Sequence, residues 1–189
     1  MATLFSDLIK FGLTRSNIKT NISDANQWFR DTSMTFLKEI KRIVGSRNRI
    51  EIGRMYLFSY DPKTKDKLPY YDKFPLVFPI ESYGDGFLGI NFHYLPPILR
   101  ARLLDALYDT INNKNFDETT KLKISYDVLK GATKFRYFQP CVKRYLFSHI
   151  RSGFKEIEPN DWTKAILLPT QSFQKTNESK VYADSIRKV

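Results

Sequence analysis

From Arg54 to Leu95 apolar and polar positions alternate, and turn residues break the alternation twice. "RMYLFSYDP" predicts a strand, and "DPKTKDKLP" predicts the loop that ends it. "FPLVFPIE" is a second apolar run, which Pro75 and Pro79 assign to a sheet edge or a strand entrance because proline cannot donate to a ladder. "YGDGF" predicts a hairpin turn, with Gly84 and Gly86 available for positive φ, and "FLGINFHYL" follows as a third strand.

Elsewhere the period lengthens. Ser23 or Asp24 can cap a helix running to Val44, along which Trp28, Phe29, Phe36, Leu37, Ile40 and Ile43 recur at helical spacing. "PPILRARLLDALYDTINN" opens with proline, as a first helical turn tolerates, and its expected buried face is Leu99, Leu103, Ala106 and Leu107. "DETTKLKISYDVLKGA" reads as a short helix or a helix–strand mix. "PCVKRYLFSHIRS" reads as a helix from Pro140, and "AILLP" as a buried strand. The fold class expected is α+β: a small, strongly twisted antiparallel sheet with packed helices. The organisation expected is an N-terminal arm over 1–22, one domain over 23–173 and a polar C-terminal tail over 174–189.

Charge changes this picture most. The net charge is +11 on 189 residues, unevenly placed. Residues 61–127 hold nine basic against ten acidic residues, whereas 128–155 hold seven basic residues and no acid. A second basic stretch is "KEIKRIVGSRNRIEIGR". Segregated positive charge implies a polyanionic partner. On a helix from Pro140, Arg144, Ser148 and Arg151 would share a solvent face opposite Val142, Leu146, His149 and Ile150. Extended, "KFRYF" would set Lys134 and Arg136 opposite Phe135 and Tyr137. Lysine and arginine neutralise phosphates, and an exposed ring can stack a base. The expected nucleic-acid contacts are therefore Lys134, Arg136, Lys143, Arg144 and Arg151, with Arg42, Arg47 and Arg49 as a second patch. A solvated face, or an acidic protein neighbour, would explain the same charges.

Candidate chemistry is sparse. His93 and His149 have no nucleophile at telling spacing and read as structural. Asp72, Glu81 and Asp85 share the hairpin region and could form an acid–base pair, but turn chemistry accounts for Asp85. The single cysteine, Cys141, excludes an internal disulfide and a cysteine-based metal cage, and fits synthesis in a reducing cytoplasm. No metal, cofactor or enzymatic activity is expected. No apolar run reaches membrane-span length, so no membrane partner is expected, and "MATLFSDLIKFGLTRSNIKT" makes a poor signal peptide. The aromatic residues Tyr70, Tyr71, Phe74, Phe78, Phe87 and Phe92 read as core and rim of the sheet.

The stretches "YLFSYDPKTKDKLPYYDKFPLVFPIE", "GFLGINFHYLPPILRARLLDALY" and "KFRYFQPCVKRYLFSHIRSGF" resemble virion-associated proteins of T-even-type contractile-tailed bacteriophages. The likeness extends from about Arg54 to the end of the chain. It implies a non-enzymatic virion protein, either a protector of packaged double-stranded DNA ends at the head–tail connection or a structural component of tail, neck or baseplate. The first would bind duplex DNA, and both would meet other virion proteins. The resemblance assigns no role to any single residue.

Overall fold

A computed structural model of the chain describes Phe5, Gln27, Ile50–Trp162 and Phe173–Arg187. The expected arm, the helix from Ser23 or Asp24 to Val44 and the "AILLP" strand lie outside these residues, apart from Phe5 and Gln27.

Five strands, β1 (Met55–Leu57), β3 (Leu76–Tyr83), β4 (Gly86–Asn91), β5 (Val142–Leu146) and β6 (Lys155–Ile157), pair into an antiparallel sheet among the described residues. Their order across the sheet is β5-β4-β3-β1-β6. A separate ribbon joins β2 (Tyr71–Asp72) to β7 (Phe173–Gln174). Among the described residues the helices are α1 (Pro97–Ile111), α2 (Glu118–Ala132) and α3 (Glu178–Arg187). The class is α+β, as expected.

Period-two alternation gives the sheet two greasy faces. Met55, Leu57, Phe78 and Ile90 meet Leu104, Leu107, Leu129 and Trp162 in the larger core. Tyr56, Phe58, Val77, Phe87 and Tyr145 point the other way and form a second, aromatic core. There Phe58 meets Tyr145 edge-on at 5.2 Å, a geometry the ring quadrupoles favour.

Three local expectations change. Pro79 lies in β3, at the centre of the sheet rather than its edge. The ladder tolerates it because the register with β4 shifts between Pro79 and Glu81, and a bulge needs no proline donor there. Gly84 and Gly86 do not take positive φ; among the described glycines only Gly53 does. Gly86 is needed for clearance instead, since a Cβ there would lie 2.0 Å from the Tyr145 carbonyl oxygen. On α1 Leu103 and Leu107 are buried as expected and Leu99 packs against the core, but Arg100, Ala101 and Leu104 are buried with them and Ala106 is exposed.

The largest correction concerns "PCVKRYLFSHIRS". Pro140 sits in a 3-10 turn (Gln139–Cys141), and Val142–Leu146 then form β5 rather than a helix. All five residues pair with β4, from Ile90↔Val142 to Gly86↔Leu146. The ladder satisfies backbone groups of β4 that a helix here would leave open. Tyr145 fills the aromatic core, a position a strand supplies every second residue.

"DETTKLKISYDVLKGA" is helical as α2. Asp117 caps it, its Oδ1 accepting from the Thr120 N–H at 2.7 Å, and that bond holds the Asp117 carboxyl below its usual value. The segment from Gln174 is polar in composition but carries α3, whose Val181 is fully buried.

A buried polar network ties α3 to α1 and to the turn that follows β4. The Arg100 guanidinium is 1% exposed. It donates to the carbonyls of Leu95 and His93 and to the Tyr182 hydroxyl on α3, at 2.7, 3.2 and 2.6 Å. Burial pushes its pKa down, and these acceptors hold the charge in place.

Candidate nucleic-acid interface

Residues 134–138 form neither an extended strand nor helix but a coil of tight turns between α2 and β5. The Phe135 N–H donates to the Ala132 carbonyl at 3.0 Å, Phe138 to Phe135 at 2.9 Å and Cys141 to Phe138 at 3.0 Å. These consecutive bonds set the side chains at wide angles rather than on alternate faces. Phe138 turns inward against the larger core. Lys134, Phe135, Arg136 and Tyr137 all face solvent, with Phe135 66% and Tyr137 48% exposed. The Arg136 guanidinium carbon lies 5.1 Å from the Tyr137 ring centroid, a cation–π contact. Lys134 and Arg136 have no acidic partner among the described residues.

The other basic residues are more committed. Arg144 projects from β5 onto the Tyr83 ring, 4.0 Å from its centroid, and pairs with Asp85 in the β3–β4 turn. One helical turn before the coil, the Lys130 ammonium meets Glu81 at 3.1 Å and, with Tyr83, holds the Glu81 carboxyl below its usual value. These contacts tie the end of α2, the β3–β4 hairpin and β5 into one corner. Lys143, next along β5, points across the sheet from Arg144 and places its ammonium 4.2 Å over the Tyr94 ring. Arg151 lies elsewhere, with Asp61 at 3.7 Å and the Ser148 carbonyl at 3.3 Å. Arg144 and Arg151 are exposed as expected, but no shared helical face joins them. Arg42, Arg47 and Arg49 fall outside the described residues.

Three cations of the acid-free stretch thus find acids from the near-neutral middle of the chain: Lys130 with Glu81, Arg144 with Asp85 and Arg151 with Asp61. Among the described residues, the positive charge left without an acid in this corner is that of Lys134 and Arg136. Tyr83 and Lys130 complete the corner and were not singled out from the sequence. The signal for Lys130 was its place in the acid-free run, and for Tyr83 its place at the mouth of the "YGDGF" turn.

Asp72, Glu81 and Asp85 do not converge. Glu81 and Asp85 hold Lys130 and Arg144. Asp72 is buried, with Oδ2 2.6 Å from Nδ1 of His93 and accepting from the Asn91 amide at 3.2 Å. His93 is completely buried, and burial pushes its pKa below the ordinary histidine value even beside a carboxylate. His149 is half-buried, its Nδ1 at 2.8 Å from the Asp61 carbonyl. Burial pushes the Cys141 thiol up to about 12, so it packs as an inert group. Among the described residues no group of three or more His, Cys, Asp or Glu could hold a metal ion, and no helix is long and apolar enough to cross a membrane. Phe78, Phe87 and Phe92 are buried as expected, with Tyr70 and Phe74 partly buried at the rim.

The family model described as Phage T4 terminal DNA protecting protein matches residues 6–188 of the chain. No curated protein and no solved structure matches it.

Proposed function

This chain belongs to the Phage T4 terminal DNA protecting protein family, and we propose that it is a non-enzymatic virion protein that binds the ends of linear double-stranded DNA. The family match over nearly the whole chain carries this reading. The exposed turn at Lys134–Tyr137 supports it with a surface suited to nucleic acid.

Lys134 and Arg136 can take phosphates without breaking any ion pair among the described residues. Arg144 and Arg151 must exchange a carboxylate for a phosphate. That exchange is cheap, because exposed pairs are worth only about 0–1 kcal/mol. Lys143 contributes positive potential from the far side of β5, and Arg42, Arg47 and Arg49 would extend the footprint. Contact through phosphates alone reads no sequence, so binding is expected to be insensitive to sequence and steeply dependent on salt. Glu81 and Asp85 are each engaged by a cation, and Asp72 is buried, so these three carboxylates form no pair poised to activate water. The reading extends to the head–tail connection of the particle, where an end of packaged DNA would be held and where acidic surfaces of other virion proteins could meet the same cations.

The test is exonuclease digestion of linear duplex DNA with and without the purified protein. Protection that fades with added salt is expected, with no hydrolysis by the protein itself when magnesium or manganese is supplied. Unprotected DNA, together with no detectable binding at low salt, would remove the DNA reading and leave a structural assembly protein. Particle density against residues 134–151 tests the location.

A further inference from the structure

Resting on the DNA-end reading above, we infer that Phe135 and Tyr137 are base-stacking residues that cap the terminal base pair of a duplex. Phe135 is the most exposed of the large apolar side chains among the described residues, and Tyr137 shares its turn. Phe135 has no ring partner among the described residues, so its face is open. The turn is pinned at both ends: Phe138 is packed inward, and the backbone closes at Phe135, Phe138 and Cys141. The rings are therefore held outward before any ligand arrives, and little freedom is lost on contact.

Alternating cations and rings match one particular part of DNA. Along an intact duplex the base faces are covered by their neighbours, and a protein meets phosphates and groove edges. Only at an end is a base-pair face bare, with phosphates close beside it. Phe135 and Tyr137 can stack on that face while Lys134 and Arg136 reach the flanking phosphates. Arg136, already stacked on Tyr137, extends the platform with a planar cation. Phosphate contacts alone give no reason to favour an end over the interior, whereas stacking on an uncovered pair does.

The test compares a short blunt-ended linear duplex with a covalently closed circle of the same sequence, both titrated with the full chain at fixed salt. Preference for the linear form is expected. Phe135→Ala with Tyr137→Ala should cut that preference about tenfold or more, weakening binding to the linear form far more than binding to the circle. Lys134→Gln with Arg136→Gln should weaken binding to both forms. Phe135→Trp should keep the preference and show indole quenching on addition of ends. Far-UV circular dichroism checks that each variant is folded. Equal affinity of the unaltered protein for the two DNAs overturns the capping role and leaves the phosphate-binding reading standing. Equal weakening of both forms by the double alanine variant also overturns it. Absence of binding to either DNA removes the parent reading, and the capping role with it.

Discussion

The β3–β4 hairpin and the turn at 134–138 are both rich in aromatic residues, and they place them oppositely. Phe78 and Phe87 are fully buried, whereas Phe135 and Tyr137 stand in solvent. In the hairpin each ring falls to one side of a pleat, and both sides of the sheet are covered. In the turn, consecutive backbone bonds send neighbouring side chains in different directions, so only Phe138 reaches the core. Aromatic content alone does not distinguish scaffold from surface. What distinguishes them is whether the local backbone repeats every two residues against a covered face.

The sharpest way to break this contrast is to truncate one ring from each region. Phe78→Ala is expected to cost about 3–5 kcal/mol in chemical denaturation, because transfer and cavity terms add in a filled core. Phe135→Ala is expected to change stability by less than about 0.5 kcal/mol, the usual range for an exposed site. Similar losses at both positions would mean that Phe135 is packed.

A second variant tests how the two regions are joined. Gly86→Ala places a methyl group against the Tyr145 carbonyl, which belongs to the backbone and cannot swing aside. The expected loss is about 1–3 kcal/mol, with faster amide exchange in β5 than elsewhere. Unchanged exchange in β5 would show that the strand does not depend on this close approach.

Charge reversal sharpens the electrostatic side. Lys134→Glu with Arg136→Glu should weaken duplex binding more than Arg144→Glu with Arg151→Glu. The first pair has no acid among the described residues, whereas the second already shares its charge with Asp85 and Asp61. Each double variant should flatten the logarithmic salt dependence by up to about two phosphate contacts. A larger loss from the second pair would mean that those ion pairs open fully on DNA.

The smallest effect is a pH dependence confined to the buried network. His93 is held neutral, with a folded pKa below its ordinary 6.5, and burial is the main cause. The unfolded chain therefore binds the proton first. The stability contributed by neutral His93 is fully present above about pH 6.5 and is lost as pH falls from there through the depressed folded value. Denaturation midpoints across that window should slope downward towards acid, and His93→Gln should flatten the slope. No change in slope would mean that His93 titrates as it does in the unfolded chain.

Much of the fold was legible because its signals are local. Alternation marked β1, β3 and β4, and "YGDGF" marked the turn between the last two. The helical period and proline marked α1. The failures come from contacts between distant segments. Arg144, Ser148 and Arg151 fall at helical intervals by coincidence, and only the partner strand β4 shows that Val142–Leu146 is extended. The acid-free run was real, but Glu81, Asp85 and Asp61 arrive from earlier in the chain and offset three of its charges. Lys134 and Arg136 were legible as cations. The outward setting of Phe135 and Tyr137 beside them was not, because it depends on a turn that neither helical nor strand periodicity encodes.

The bond from Arg100 to Tyr182 has a practical side. A protease cut or a truncation before Glu178 would strip the hydroxyl from a guanidinium that has no access to water, and would uncover the pocket that Val181 fills. Shortened versions of this protein should be hard to keep in solution even though the removed piece looks expendable by its composition. An affinity handle that forces α3 away from α1 would report on a damaged molecule, whereas one carried beyond a flexible spacer would leave the latch closed.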